Sequence, residues 1–211
     1  MSVPDYICIE GVIGVGKTSL ATMLGEYLDA RVVYERPEEN PFLEDFYNDP
    51  PRFAFQTQLF FLLSRYKQQE ENVQTDLFHK TLISDYLFAK DRIFAHLNLE
   101  DRELFLYDRV ASLLEQNITK PDLVVYLQST PEKLMQNIKK RGRSYERDVS
   151  MEYIRSLNEA YNRFFFHYTD TPLLVVNSTL MDFVNVKQDF EELVNQIMRP
   201  HSGIEYYSPG E

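Results

Sequence analysis

The stretch that most constrains the fold is Gly11 to Ser19, GVIGVGKTS, which follows the apolar run Tyr6-Ile7-Cys8-Ile9 after a single residue, Glu10. It satisfies the G-x-x-x-x-G-K-S/T pattern from Gly11 through Thr18, in the order strand, glycine loop, helix. Backbone N–H groups approach phosphate oxygens closely only on a loop that no Cβ obstructs. That requirement accounts for Gly11, Gly14 and Gly16 falling within six positions of a chain that has only seven glycines. Val12, Ile13 and Val15 complete the loop. Lys17 then supplies charge to phosphates and Thr18 a hydroxyl to Mg²⁺, with Ser19 beside them at a helix N-terminus that already favours anions.

Beyond this start, short β-branched runs alternate with helical patterns. ARVVYE is followed by helices across 41–72, TLISD by helices across 88–118, and DLVVYL by helices at 131–140 and near 150–167. PLLVV leads to a helix at about 187–198. Such alternation predicts a three-layer α/β fold of the P-loop NTPase type, with five parallel strands flanked by helices. No repeat or Gly/Ser linker divides the chain, so residues 1–198 read as one domain and 199–211 as a C-terminal tail.

Composition then removes whole classes. The net charge of −11, from 33 acids against 22 bases, opposes a nucleic-acid partner. No apolar run is long enough for a membrane span, and MSVPDYICIE lacks the pattern of a signal peptide, so the cytoplasm is the expected compartment. The single cysteine, Cys8, excludes an internal disulfide and reads as a packing residue.

A phosphate loop leaves the acceptor open. No N-K-x-D guanine-reading motif occurs, which disfavours a switch GTPase, and a small kinase needs a lid and an acceptor pocket. KKRGRSYER at 139–147 gathers five cations into nine residues. There Arg141 and Arg143 read either as lid arginines over the phosphates or as a cationic helix end capped by Gly142. In FQTQLFFLLSR, residues Gln58, Phe61, Leu62 and Arg65 share one helical face, either as a solvent edge or as a base-reading surface. Asp85, closing TLISD, reads as an Mg²⁺ or water-positioning carboxylate or as a helix cap. Glu35, after Val32-Val33, reads either as a solvated strand terminus or as a carboxylate in the crevice where open α/β sheets bind ligands.

In this order the segments resemble the deoxynucleoside kinase family. The segments are GVIGVGKTS, a strand-end glutamate followed by EENPFLEDFY, P-x-R-F-A-F-x-x-Q from Pro50 to Gln58, LLSR, IFA at 93–95 and RGRSYE. The resemblance implies that Glu35 is the base at a deoxynucleoside 5′-hydroxyl, with ATP–Mg²⁺ as donor. It implies that Tyr47 and Glu146 hold the 3′-hydroxyl, that Leu43 and Phe46 line the sugar pocket, and that Gln58 pairs with the base while Phe94 stacks on it. Arg65 becomes a second base-side contact with Asp91 as partner, Arg141 and Arg143 lid arginines, and Asp182-Phe183 contacts to adenine. A homodimer is implied as well. Two departures matter: where many members carry an acid-Arg-Ser triplet, this chain has Asp85-Tyr86-Leu87, so lid or other cations must replace that arginine, and the spacing from Asp85 to the IFA segment is shorter than in the eukaryotic members. The same Asp-Tyr pair resembles bacterial purine deoxynucleoside kinases and tilts the substrate towards deoxyadenosine or deoxyguanosine.

Two other readings stay open from the residues. A thymidylate-type nucleoside monophosphate kinase would need a cation for its anionic acceptor, and Arg36 stands beside Glu35. A nucleotide-gated binding module would need no acceptor at all.

Overall fold

A computed structural model describes residues 4–72 and 79–209. Its central strand, β1 (Tyr6–Gly11), is wholly buried, as a strand covered on both faces must be. Around it the sheet runs β2 (Arg31–Val33), β3 (Leu82–Ser84), β1, β4 (Leu123–Gln128), β5 (Leu173–Asn177) and β6 (Ile204–Tyr207), and every pairing is parallel. The sheet therefore has six strands, not the five expected, and the additional one comes from the segment read as a tail. Ile204–Tyr207 pairs with β5 from Leu173↔Ile204 to Val176↔Tyr207. Four residues that include a glutamate, three of them half-buried and Tyr206 exposed at the sheet edge, make too short an apolar run to announce a strand. Residues 210–211 of that segment lie outside the described residues.

The helices follow the sequence pattern closely: α1 (Lys17–Leu28), α2 (Leu43–Asn48), α3 (Pro50–Asn72), α4 (Lys90–Asn98), α5 (Asp101–Glu115), α6 (Pro131–Arg141), α7 (Met151–Phe166) and α8 (Lys187–Ile197). Local chemistry sets their ends. Thr130 accepts the Lys133 N–H at 3.3 Å before Pro131 opens α6, and Ser150 accepts the Tyr153 N–H at 3.0 Å to start α7. Glu100 and Glu103 form a reciprocal capping box on α5. No helix among the described residues is long and apolar enough to cross a membrane.

The main core is built from β1, β4 and β5 against α1, α6, α7 and α8, and it includes Cys8, a free buried thiol. A second apolar cluster, Leu62, Phe88, Ala95, Tyr107 and Ala111, joins α3, α4 and α5. β1 passes through α1 to β2 on one side, whereas β3 crosses β1 to reach β4 on the other. The chain reverses its winding there, which opens a crevice at the carboxyl ends of the strands.

α1 crosses β2 at Gly25, where an added Cβ would lie 2.2 Å from Val32 Cγ2. Gly25→Ala improves helix propensity but overpacks this contact, so we expect a net loss of about 1–2 kcal/mol. Thermal unfolding measures it, and a second change, Val32→Ala, should recover most of the loss if the clash is the cause.

Candidate active site

The phosphate loop bends as its glycines demand. Gly14 and Gly16 take φ of 86° and 106°. A Cβ on Gly14 would sit 2.7 Å from the Leu134 carbonyl oxygen, and one on Gly16 would sit 3.0 Å from the Phe183 ring. α6 also braces the loop, with Asn137 Nδ2 donating to the Gly14 carbonyl at 2.9 Å. Lys17 Nζ donates to the Gly11 and Val12 carbonyls at 2.6 and 3.4 Å. Burial pushes its ammonium below the ordinary lysine value, and the Lys90 charge adds to that against the opposing pull of Glu10.

Ile13, Gly14, Val15, Gly16, Lys17, Thr18 and Ser19 face a cavity of about 800 Å³, while Gly11 and Val12 lie beneath it. Asp85, just beyond β3, connects this loop to the end of β2. Its Oδ2 accepts the Thr18 hydroxyl at 2.6 Å and its Oδ1 accepts the Glu35 N–H at 2.6 Å. Burial raises the Asp85 carboxyl, and those two donors oppose the rise. Thr18 Oγ1 and Asp85 Oδ2 therefore stand together as hard oxygen donors at the mouth of the loop, a pair that suits Mg²⁺ completing its shell with phosphates and water.

Glu35 occupies the floor between the phosphate loop and α3. Its Oε1 accepts from Arg65 Nη2 and its Oε2 from Lys90 Nζ at 2.7 Å. Burial alone would raise the carboxyl, but Arg65 and then Lys90 outweigh it and hold Glu35 well below the usual carboxylate range. Arg65 is a fork, since its Nη1 donates to Asp91 Oδ1. Asp91 is the partner of Arg65, as expected, but it lies buried behind that guanidinium and does not line the cavity with the substrate contacts. It steers the guanidinium from the rear.

Farther along α3, Gln58 lines the cavity at 2% exposure with no side-chain hydrogen bond among the described residues. Phe61 stands beside it, under the Arg65 guanidinium at 4.7 Å. Leu62, read on the same face, turns away into the second apolar cluster. Phe94 also lines the cavity and packs edge-on against Tyr161, with centroids 6.0 Å apart. Leu43, Phe46 and Tyr47 enter from α2, where Tyr47 and Phe46 pack on Tyr153.

At the lid, α6 ends at Arg141 and Gly142 takes the left-handed conformation at φ 68°, its N–H donating to the Ile138 carbonyl at 3.1 Å. The cap and the lid are thus one piece of chain. Arg141 holds both Glu146 oxygens, through Nη2 to Oε1 and Nε to Oε2 at 3.2 Å, and Arg143 Nη1 donates to the Tyr145 hydroxyl at 2.6 Å. Both arginines and Glu146 line the cavity. On the donor side Phe183 covers Gly16, and the Asp182 carboxylate accepts from Asn185.

Two residues escaped the sequence reading. Glu10 is fully buried; its Oε1 accepts the Gly11 N–H at 2.8 Å and the Tyr161 hydroxyl at 3.3 Å, and its Oε2 accepts the Leu87 N–H at 2.7 Å. The signal was a carboxylate inside an apolar strand, which must be buried with partners. Lys90 is the first residue of α4, where the helix dipole disfavours a cation, and that misplacement was its signal.

Set against known proteins, this arrangement is familiar. Residues 7–201 match the profile of the deoxynucleoside kinases. The chain belongs to that family. It is 34% identical over 204 residues to the deoxyguanosine kinase of Bacillus subtilis (strain 168), covering 93% of this chain and 98% of that one. It is 34% identical over 211 residues to the deoxyadenosine kinase of Dictyostelium discoideum, covering 94% and 85%. Among solved structures, the deoxyadenosine kinase from M. mycoides with bound dATP is similar at a TM-score of 0.79 and 28% identity, covering 91% of this chain and 98% of that one. This chain is accordingly a phosphotransferase with a hydroxyl acceptor.

In this kinase, Asp91→Ala leaves Arg65 with one carboxylate where it had two. We expect a loss of about 3 kcal/mol or more in denaturant unfolding, because a buried ion network is left with excess positive charge.

Proposed function

We propose that the enzyme transfers the γ-phosphoryl group of ATP, bound with Mg²⁺, to the 5′-hydroxyl of a purine deoxynucleoside, deoxyadenosine or deoxyguanosine, in nucleotide salvage. The observation that carries this is the divergence of two neighbours. Glu35 faces the cavity between the phosphate loop and Gln58, whereas the Arg36 side chain is 60% exposed and pairs outward with Glu39 at 3.2 Å. A monophosphate acceptor needs a cation to itself at that point, whereas the two cations there, Arg65 and Lys90, are both drawn to Glu35; a neutral hydroxyl needs a proton acceptor, so the geometry favours the nucleoside. The names of the similar deoxyguanosine and deoxyadenosine kinases support a purine.

In this reading the Gln58 carboxamide, with one donor and one acceptor side, pairs with the edge of the base while Phe94 and Phe61 enclose its faces. Tyr47 and Glu146 receive the 3′-hydroxyl. Lys17 and the lid arginines neutralise charge on the phosphoryl oxygens, and closure of the lid excludes water. Thr18 and Asp85 would hold Mg²⁺, which when bound neutralises phosphate charge. Glu35 accepts the 5′-hydroxyl proton. Asp182 and Phe183 border the donor base. The family likeness further suggests a homodimer and a cytoplasmic enzyme.

Offering the four deoxynucleosides and their monophosphates side by side with ATP–Mg²⁺ tests the reading. Deoxyadenosine or deoxyguanosine should be phosphorylated fastest, and phosphorylation of monophosphates alone would overturn it. Glu35→Gln should lower kcat by ~10²–10⁴, the usual worth of base assistance, with ATP binding retained in calorimetry. Gln58→Ala should raise KM for the nucleoside about tenfold, as loss of a buried hydrogen-bonding partner does, and leave KM for ATP unchanged.

A further inference from the structure

Glu35 is held by two cations of unequal freedom. Arg65 is fixed from behind, since Nη1 is spent on Asp91 and its plane lies over Phe61. Lys90 has no such anchor. Its side chain is only 3% exposed, yet among the described residues its one hydrogen bond is the 2.7 Å contact with Glu35 Oε2. An ammonium has three N–H donors, so two remain unspent at the wall of the cavity. The same charge lies within electrostatic reach of both Lys17 and Asp85.

The chain around Lys90 explains why a lysine stands there. Position 86 offers no cation, since Tyr86 stands there with its side chain fully buried. The next residue is pinned by its N–H to Glu10. The first cation after Asp85 is therefore delivered from the opening turn of α4, on a flexible four-carbon stem that can change partners while its Cα stays still.

A carboxylate holding a cation on each oxygen is a weak proton acceptor, and the departure of one cation makes Glu35 a stronger base. We infer that Lys90 is a catalytic residue of the transfer: with both substrates bound it leaves Glu35 Oε2 for an oxygen of the γ-phosphoryl group, and Oε2 then takes the 5′-hydroxyl proton. The inference rests on the proposed reading of Glu35 as base. In the step, the 5′-oxygen forms a bond to the γ-phosphorus and the bond from that phosphorus to the β–γ bridging oxygen breaks. ADP leaves with that electron pair, the hydroxyl proton moves to Glu35 Oε2, and Lys90 keeps all its protons throughout. Arg65 stays on Oε1 and keeps the carboxylate aimed. The exchange also makes base activation conditional on the donor phosphates, so Glu35 is masked until there is something to transfer.

The test compares wild type with Lys90→Ala, both as the full chain. In the variant kcat should fall by ~10²–10³, the cost of removing one donor to developing charge, while the nucleoside dissociation constant from calorimetry changes less than threefold. Added ethylamine should restore at least tenfold of the lost rate, and propanol should not. A kcat within threefold of wild type, or a loss of rate matched by loss of nucleoside binding with no rescue by amine, would overturn the assignment. Should Lys90→Ala fail to fold, a wild-type crystal structure with deoxynucleoside, ADP, Mg²⁺ and aluminium fluoride decides it. Lys90 Nζ on a fluoride ligand, with Oε2 facing the 5′-oxygen, supports the exchange; Lys90 still on Glu35 refutes it. Wild type that phosphorylates no deoxynucleoside strikes the proposed reaction itself, whereas an active Lys90 variant strikes only the role of the lysine.

Discussion

One carboxylate joins the parts of this molecule that must meet. Asp85 receives the Thr18 hydroxyl on one oxygen and the Glu35 N–H on the other, both at 2.6 Å. It stands just past β3, between β1, which feeds the phosphate loop, and β2, which delivers Glu35. A parallel sheet brings strand ends to a common edge, but the loops beyond are free to splay. Two short hydrogen bonds from a buried acid remove that freedom. They set the distance between the group that holds phosphate and the group that faces the acceptor.

Behind Asp85 lies a second layer of buried charge, with Arg65 at 4% side-chain exposure, Asp91 at 2% and Lys90 at 3%. Desolvating so many ions costs several kcal/mol each and is tolerable only because each is paired. Such a network is a poor source of stability. Its use is orientation: Asp91 holds Arg65, Arg65 holds one oxygen of Glu35, and the carboxylate faces the cavity with one defined edge. Glu10 does the same for β1, fastening Gly11 and Leu87 together. Rigidity on the Asp91 side and slack on the Lys90 side give Glu35 two unequal partners, and that inequality is what an exchange of partners requires.

Legibility in the sequence followed the strength of the local signal. α1 begins at Lys17 and ends at Leu28 because a glycine loop and a long apolar period mark it, and α6 and α7 carry Thr130 and Ser150 as visible caps. β6 was invisible because four edge residues, three half-buried and Tyr206 exposed, are too few to show a period. At the site, Glu35, Gln58, Arg65 and the lid arginines stood out as polar groups at strand ends, on an apolar face or in a basic run. Asp91 was legible as the partner of Arg65, but a sequence shows neighbours along the chain and not which side of an arginine an acid lies on. Leu62 failed for a related reason, since one helical face divided between the cavity and a second apolar cluster.

What the sequence determined by itself was the kind of chemistry. The glycine loop, its lysine and its threonine are contiguous, so their function needs only local backbone geometry, and they specify a phosphate site on an α/β sheet. Which groups surround Glu35 was decided by tertiary structure alone. Arg65, Lys90 and Asp91 come from two helices that reach the carboxylate only after the sheet has assembled, 30 residues or more from Glu35 along the chain in the case of the two cations. The exposure of Arg36 was decided the same way, by the turn of Pro37–Glu39 that sends it outward to Glu39. Contacts across such separations depend on the direction in which each element exits the core, and no local pattern of residues encodes that direction.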